Sequence, residues 1–313
     1  MRTYQHSGIV PPLGALQALG LGSAAAVALG IVYSFSFYYI PIVYLNFLLA
    51  AAFGCGVGWV VGWGAREGNL RNTPVTVGLA VVAAFVGIYA EWGSTMYAVC
   101  PPELLPELWS KAGLQTFLPH QIAGLMLDLF AEGSWGLSEG AMVKGWVLVA
   151  LWFIEGGMIV GLAATTAHHQ IASRPFCEPC GTWITGHTPH LYQGDGTEPV
   201  WSEVLTGNFD TLADTLRATG NEPTYVRLKL HVCDTCEESN YLTITRCETT
   251  FDQHGNPKTV EKDVIANLAI DRTQVELIRA ANMIAPTPED AELQGLAPAR
   301  EWTMRKPEEM EAS

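Results

Sequence analysis

The stretch "LGALQALGLGSAAAVALGIVYSFSFYYIPIVYLNFLLAAAFGCGVGWVVGWGA", Leu13 to Ala65, contains no Asp, Glu, Lys or Arg. The uncharged run reaches back to Thr3. At about 1.5 Å of rise per residue, it makes far more helix than one hydrocarbon core of about 30 Å requires. No soluble domain hides such a run in its interior, so it reads as membrane. Pro41 divides it into two spans, residues 13–40 and 42–63. Two further apolar stretches, 74–99 and 145–167, have the length of crossings. Arg2 ahead of "GSAAAVALG" imitates a secretory leader, but the apolar sequence runs on too long and the charged region is a single Arg, so a retained span is expected.

Basic residues orient the spans. Arg66 and Arg71 lie between spans two and three, which puts that loop and both termini on the cytoplasmic side, in a bacterial plasma membrane. Residues 100–144 then form an outside segment. Within it "PPELLPELW" carries the Pro and acidic residues of a helix start, and "PHQIAGLMLDLFAE" has an apolar face at helical spacing.

After Ala167 the composition changes. Residues 1–167 hold 5 basic and 8 acidic side chains, and residues 168–313 hold 12 and 23, so the second part carries −11 of the net −14. So acidic a surface repels phosphate backbones, which excludes nucleic acid as a partner. "TYVRLKLHV" (Thr224–Val232) alternates apolar with polar residues, as a strand with one buried face does. "NYLTITRCETTF" (Asn240–Phe251) is a second strand, and "KTVEKDVIANL" returns after a turn as its hairpin partner. "WSEVLTGNFDTLADTLRATG" reads as helical. "DRTQVELIRAANMI" is a helix with Asp271 as N-cap. Residues 285–313, acidic and Pro-rich without periodicity, read as a disordered tail.

Four of the seven cysteines form two pairs, Cys177-x-x-Cys180 and Cys233-x-x-Cys236. Two thiolates spaced by two residues can bite one tetrahedral ion from a tight knuckle, and Gly181 suits the backbone after the second of them. The pattern resembles the zinc-ribbon class over about residues 174–251. That resemblance implies one structural zinc per chain, held by Cys177, Cys180, Cys233 and Cys236. It departs from the usual spacing of about 15–20 residues between pairs, because 52 residues separate Cys180 from Cys233. The helical stretch would be an insertion between the knuckles. Iron in the same cage, a site shared between chains and metal-free thiols stay open. "CEPC" also has the form of a redox dithiol, but that chemistry wants a helix after the first Cys, and Gly181 with "GHTPH" breaks one. His187 and His190 read as loop residues, and His168 and His169 as markers of the headgroup boundary.

Inside the spans stand two carboxylic acids, Glu91 and Glu155. A charge at mid-bilayer costs about 2.5–3.5 kcal/mol on insertion scales, so each calls for a partner or a role. A proton or cation path is one reading. A helix contact with Asn46, Tyr89 or a backbone carbonyl is the stronger one. Glycines every four residues, Gly54, Gly58 and Gly62 and then Gly157 and Gly161, read as close helix packing or self-association. No phosphate-cradling loop, nucleophile elbow or metalloprotease motif occurs.

The expectation is therefore a four-span α-helical membrane bundle (residues 1–167) carrying a small α+β zinc-ribbon-like domain (168–284). Its expected task is non-enzymatic, an interaction module or accessory subunit of a larger membrane complex, with the bilayer and a protein as its partners. A small transporter using Glu91 and Glu155, and a redox protein using the paired thiols, are the alternatives.

Overall fold

In the computed structural model the described residues are 2–39, 43–138, 141–184, 187–193, 204, 209, 224–236, 238–251 and 257–284. The helical stretch expected around 201–220 lies almost wholly outside them, as does the tail expected at 285–313. The chain is mostly helical, with small sheets, and divides into two compact units.

The unit His6–Trp183 holds four helices long and apolar enough to cross a membrane. They are α1 (Pro12–Tyr39), α2 (Val43–Glu67), α3 (Thr73–Ala98) and, later in the chain, α6 (Trp146–Ala172). Helices are what an apolar medium demands, since each satisfies its own backbone hydrogen bonds. Asn72 starts α3 by accepting Val75 N–H at 3.0 Å. Their outward faces carry large apolar side chains such as Leu13, Leu16, Phe85, Phe153 and Ile154, which fits contact with lipid.

Inside the bundle, small residues let the backbones close in. A Cβ at Gly30 of α1 would stand 2.4 Å from the carbonyl oxygen of Gly87 in α3. One at Gly58 of α2 would stand 2.3 Å from that of Ala163 in α6. Both are backbone contacts that cannot yield cheaply. Gly54 and Gly62 meet the same helix, at Ile159 and Gln170, so the glycine repeat of α2 is used within the chain. Gly157 and Gly161 differ: a Cβ there meets open space.

Between α3 and α6 the chain forms α4 (Leu105–Lys111), α5 (Pro119–Glu132) and a hairpin of β1 (Trp135–Ser138) with β2 (Ala141–Val143), with a 3₁₀ turn ahead of each helix. Tyr89 and Tyr97 of α3 donate hydrogen bonds to the carbonyls of Phe117 and Gly113 in this segment. A two-strand hairpin of β3 (Phe176–Cys177) and β4 (Thr182–Trp183) closes the unit. The boundary thus falls at Trp183, later than the change in composition at Ala167 suggests, because α6 runs on to Ala172 and the hairpin packs with the helices.

The other unit is Met1–Gln5 with Ile184–Ser313. It is an antiparallel sheet in the order β5 (His187–Gln193), β6 (Thr224–Val232), β7 (Asn240–Phe251), β8 (Pro257–Ile270). Val226, Leu228, Leu230 and Val232 are buried, and Arg227, Lys229 and His231 between them are not, so one face of β6 is core. That face meets Leu242, Ile244, Ile265 and Leu268, and is covered by Val275 and Ile278 of α7 (Arg272–Ile284). A reciprocal cap starts α7: Gln274 N–H donates to Asp271 Oδ1 at 2.8 Å and Asp271 N–H to Gln274 Oε1 at 2.9 Å. The N-terminal residues join this unit. Thr3 bridges Leu268, Tyr4 N–H donates to Asn267 O at 2.8 Å, and Ala269 N–H donates to Arg2 O at 2.9 Å. Asn267 sits in the left-handed region, φ 48°, beside an irregularity in the β7–β8 register.

Gly58→Val should lower the midpoint of thermal unfolding in detergent by an amount equivalent to about 1–3 kcal/mol, the usual cost of overpacking. Gly157→Ala, whose new methyl meets nothing, should leave the midpoint within error.

Candidate metal centre

The first cysteine pair sits on the β3–β4 hairpin. Cys177 ends β3, and its carbonyl accepts Gly181 N–H at 2.9 Å, folding Cys177 to Gly181 into a tight turn. Gly181 has φ +66°, which a side chain would strain. Here the turn after Cys180 is a knuckle, not the helix of a redox dithiol.

This hairpin is fixed to the rim of its own unit by residues that spacing rules do not single out. Arg71, after the α2–α3 turn, pairs with Glu178 inside the knuckle and lies over the Phe176 ring at 4.4 Å. Phe176 meets Trp183 edge-on at 5.2 Å between centroids, and Trp183 Nε1–H donates to Arg66 O at 2.9 Å. His6 lies 5.9 Å from the Trp183 ring, and burial holds its imidazole below the usual range, so it is neutral at pH 7.

The second pair turns the β6–β7 hairpin. Val232 pairs with Asn240 in the sheet, and Cys233 N–H donates to Ser239 O at 3.2 Å. Cys233 and Cys177 are buried, and Cys180 and Cys236 are partly so.

The Sγ atoms of Cys177, Cys180, Cys233 and Cys236 all lie within 4.8 Å of one another. Four sulfurs about 2.3 Å from one tetrahedral ion stand about 3.8 Å apart, so inward movement of no more than about 1 Å separates this cluster from full ligation. The group could hold a metal ion. Four thiolates close the coordination shell and leave no position for water or substrate, so the chemistry available to it is structural. His187 and His190 stand on β5, where the backbone pairs them with His231 and Leu228.

The two carboxyl groups within the long apolar helices share a second place. Glu91 of α3 and Glu155 of α6 line one cavity of about 60 Å³, with Ser34, Thr95, Ser134 and Trp92 among its walls. Glu155 accepts a hydrogen bond from Tyr33 of α1. The partners expected from sequence, Asn46 and Tyr89, are placed elsewhere: Tyr89 donates to Phe117 O, and Asn46 Oδ1 is buried without a hydrogen bond among the described residues. The sequence does not mark Tyr33 as the partner, because 122 residues separate it from Glu155 and nothing local encodes the pairing.

Comparison with protein-family models, with curated proteins and with solved structures returned no match to this chain.

If the cluster binds metal, the four paired thiols should resist alkylation in the native protein and react after a strong chelator is added. Cys100, partly exposed and outside the cluster, should react equally in both conditions. Cys233→Ser should bring the three remaining thiols to at least tenfold faster labelling without chelator, read by mass spectrometry.

Proposed function

We propose that this chain is a membrane-anchored, zinc-stabilised interaction module, an accessory subunit whose four-stranded sheet offers a β-strand edge to a protein partner at the cytoplasmic face. The observation that carries this reading is the clustering of four thiols within 4.8 Å, since a closed shell of four sulfurs holds a fold together and activates nothing. Zinc is the metal best suited to four thiolates in a tetrahedron, with no redox role required. Two knuckles on hairpin tips are what a zinc-ribbon-like site would require, which supports this reading.

The docking edge we assign is the first half of β8. Residues 258–264 are exposed along their whole length, with Val260 at 52% and Val264 at 41% of full exposure. β7 pairs with one side of β8, and beyond the Thr3–Leu268 bridge no other strand pairs with it among the described residues. Such an edge can accept a strand from another protein. Lys258, Glu261, Lys262 and Asp263 along it discourage indiscriminate pairing, and their charges would select the partner. Arg66 and Arg71 between two spans support the cytoplasmic orientation, and four crossings return both ends of the chain to one side.

The test is purification from native membranes in mild detergent. Wild-type protein should bring down a partner in stoichiometric yield, and Val260→Pro should lose it while keeping its metal. Recovery of the same partner with the Pro variant, or a partner-free monomer from gently extracted wild type, would overturn the reading.

A further inference from the structure

The acidic cavity has a neighbour. Along α3, α5 and α6 runs an apolar groove of about 700 Å³, walled by Phe85, Met126, Val149, Phe153, Val160 and Gly161 among others. Groove and cavity share Ile88, Trp92, Trp152 and Gly156, so one wall separates, or joins, an apolar chamber and a polar one. Among the described residues no Lys, Arg or His lines either chamber. Both lie within the single compact unit His6–Trp183.

The donors and acceptors decide what fits. Tyr33 already donates to Glu155, and Ser34 and Ser94 satisfy each other at 2.7 Å. Ser94 and Thr95 turn back to the Glu91 backbone carbonyl, both at 2.9 Å. That leaves the Glu91 carboxyl group with no hydrogen-bond donor among the described residues, facing the cavity from a helix in the membrane. A carboxylate so placed is costly without a cation or donor. A water needs about 10–15 Å³ of such volume, so 60 Å³ holds a few waters or one small polar head. It does not hold a bulky one. Trp92 and Trp152, in edge-to-face contact at 5.0 Å, stand at the junction, where a cationic head can also lie against an indole.

We infer that these two chambers form a binding site for a lipid-soluble amine in its ammonium form. Its –NH₃⁺ head enters the Glu91–Glu155 cavity and its apolar body lies in the groove. Each half of the molecule finds its complement: charge against carboxylate, and hydrocarbon against Phe, Val and Met. The open space at Gly157 and Gly161 is part of the groove, which explains why a Cβ at these two glycines, unlike one at Gly54 or Gly58 of α2, meets nothing among the described residues. The inference is independent of the cysteine cluster and of the proposed docking edge.

A hydrophobic carbodiimide, which modifies carboxyl groups in apolar surroundings, tests it. The full chain in phosphatidylcholine nanodiscs is treated with dicyclohexylcarbodiimide, and modification of Glu91 and Glu155 is followed by mass spectrometry. Octylammonium should slow modification at least tenfold at concentrations where octanol does nothing, and octyltrimethylammonium, with its larger head, should be much weaker. Gly157→Leu, whose Cβ meets none of the described atoms, extends a side chain from the groove wall and leaves both carboxyl groups in place. It should remove the protection while modification itself persists. Equal slowing by octanol, no slowing by octylammonium, or full protection by sodium or ammonium ions alone would each overturn the proposal, the last by making this an inorganic-cation site.

Discussion

Four sulfur atoms within 4.8 Å of one another are the constraint on which the rest depends. As thiolates they would repel: at 4 Å two like charges cost about 4 kcal/mol at an effective dielectric constant near 20. A divalent cation at their centre reverses the sign of that term and turns a strained cluster into a staple. Each knuckle is shaped for the task by its own backbone. Gly181 turns the first through positive φ, and the Cys233–Ser239 hydrogen bond closes the second. Since a site of this kind does not exist in the unfolded chain, metal bound there would couple its binding free energy to folding.

The membrane helices obey a different rule. Hydrophobic exclusion does not hold helix to helix in lipid, so contact depends on close approach and on scarce polar pairs. Gly30 and Gly58 supply the first, and Tyr33 with Glu155 and Ser34 with Ser94 supply the second. The same economy makes Glu91 informative. In a bundle where Glu155, Ser34 and Thr95 of its cavity find donors or acceptors within the protein, a carboxyl group facing that cavity with no donor among the described residues points to a ligand.

Much of this was legible before any coordinates. The charge-free run from Thr3 to Ala65 implies membrane helices whatever else is true, and Pro41 divides them near where α1 ends and α2 begins. Alternation in 224–232 marks β6, and the Asp271–Gln274 cap starts α7 as the sequence suggests. These are local signals, written within a few residues. The cysteine pairs declare themselves because metal chemistry imposes a short spacing. What stayed hidden was long-range: Arg71 against Glu178, Trp183 against the Arg66 carbonyl, Thr3 against Leu268, and the meeting of Glu91 with Glu155 in one cavity. No periodicity encodes such pairings, since they follow from how helices and strands pack after they form. The glycine repeats illustrate the limit. The same four-residue spacing buries Gly54 and Gly58 against α6 and leaves Gly157 and Gly161 open, a difference set by which face each helix turns inward.

X-ray absorption at the metal edge of the purified full-length protein is the most direct measurement of the central claim. A first shell of four sulfur scatterers near 2.3 Å, with one metal ion per chain, is the expected result. A shell containing oxygen or nitrogen in place of any sulfur, or protein that carries no metal when isolated without chelator, would contradict it.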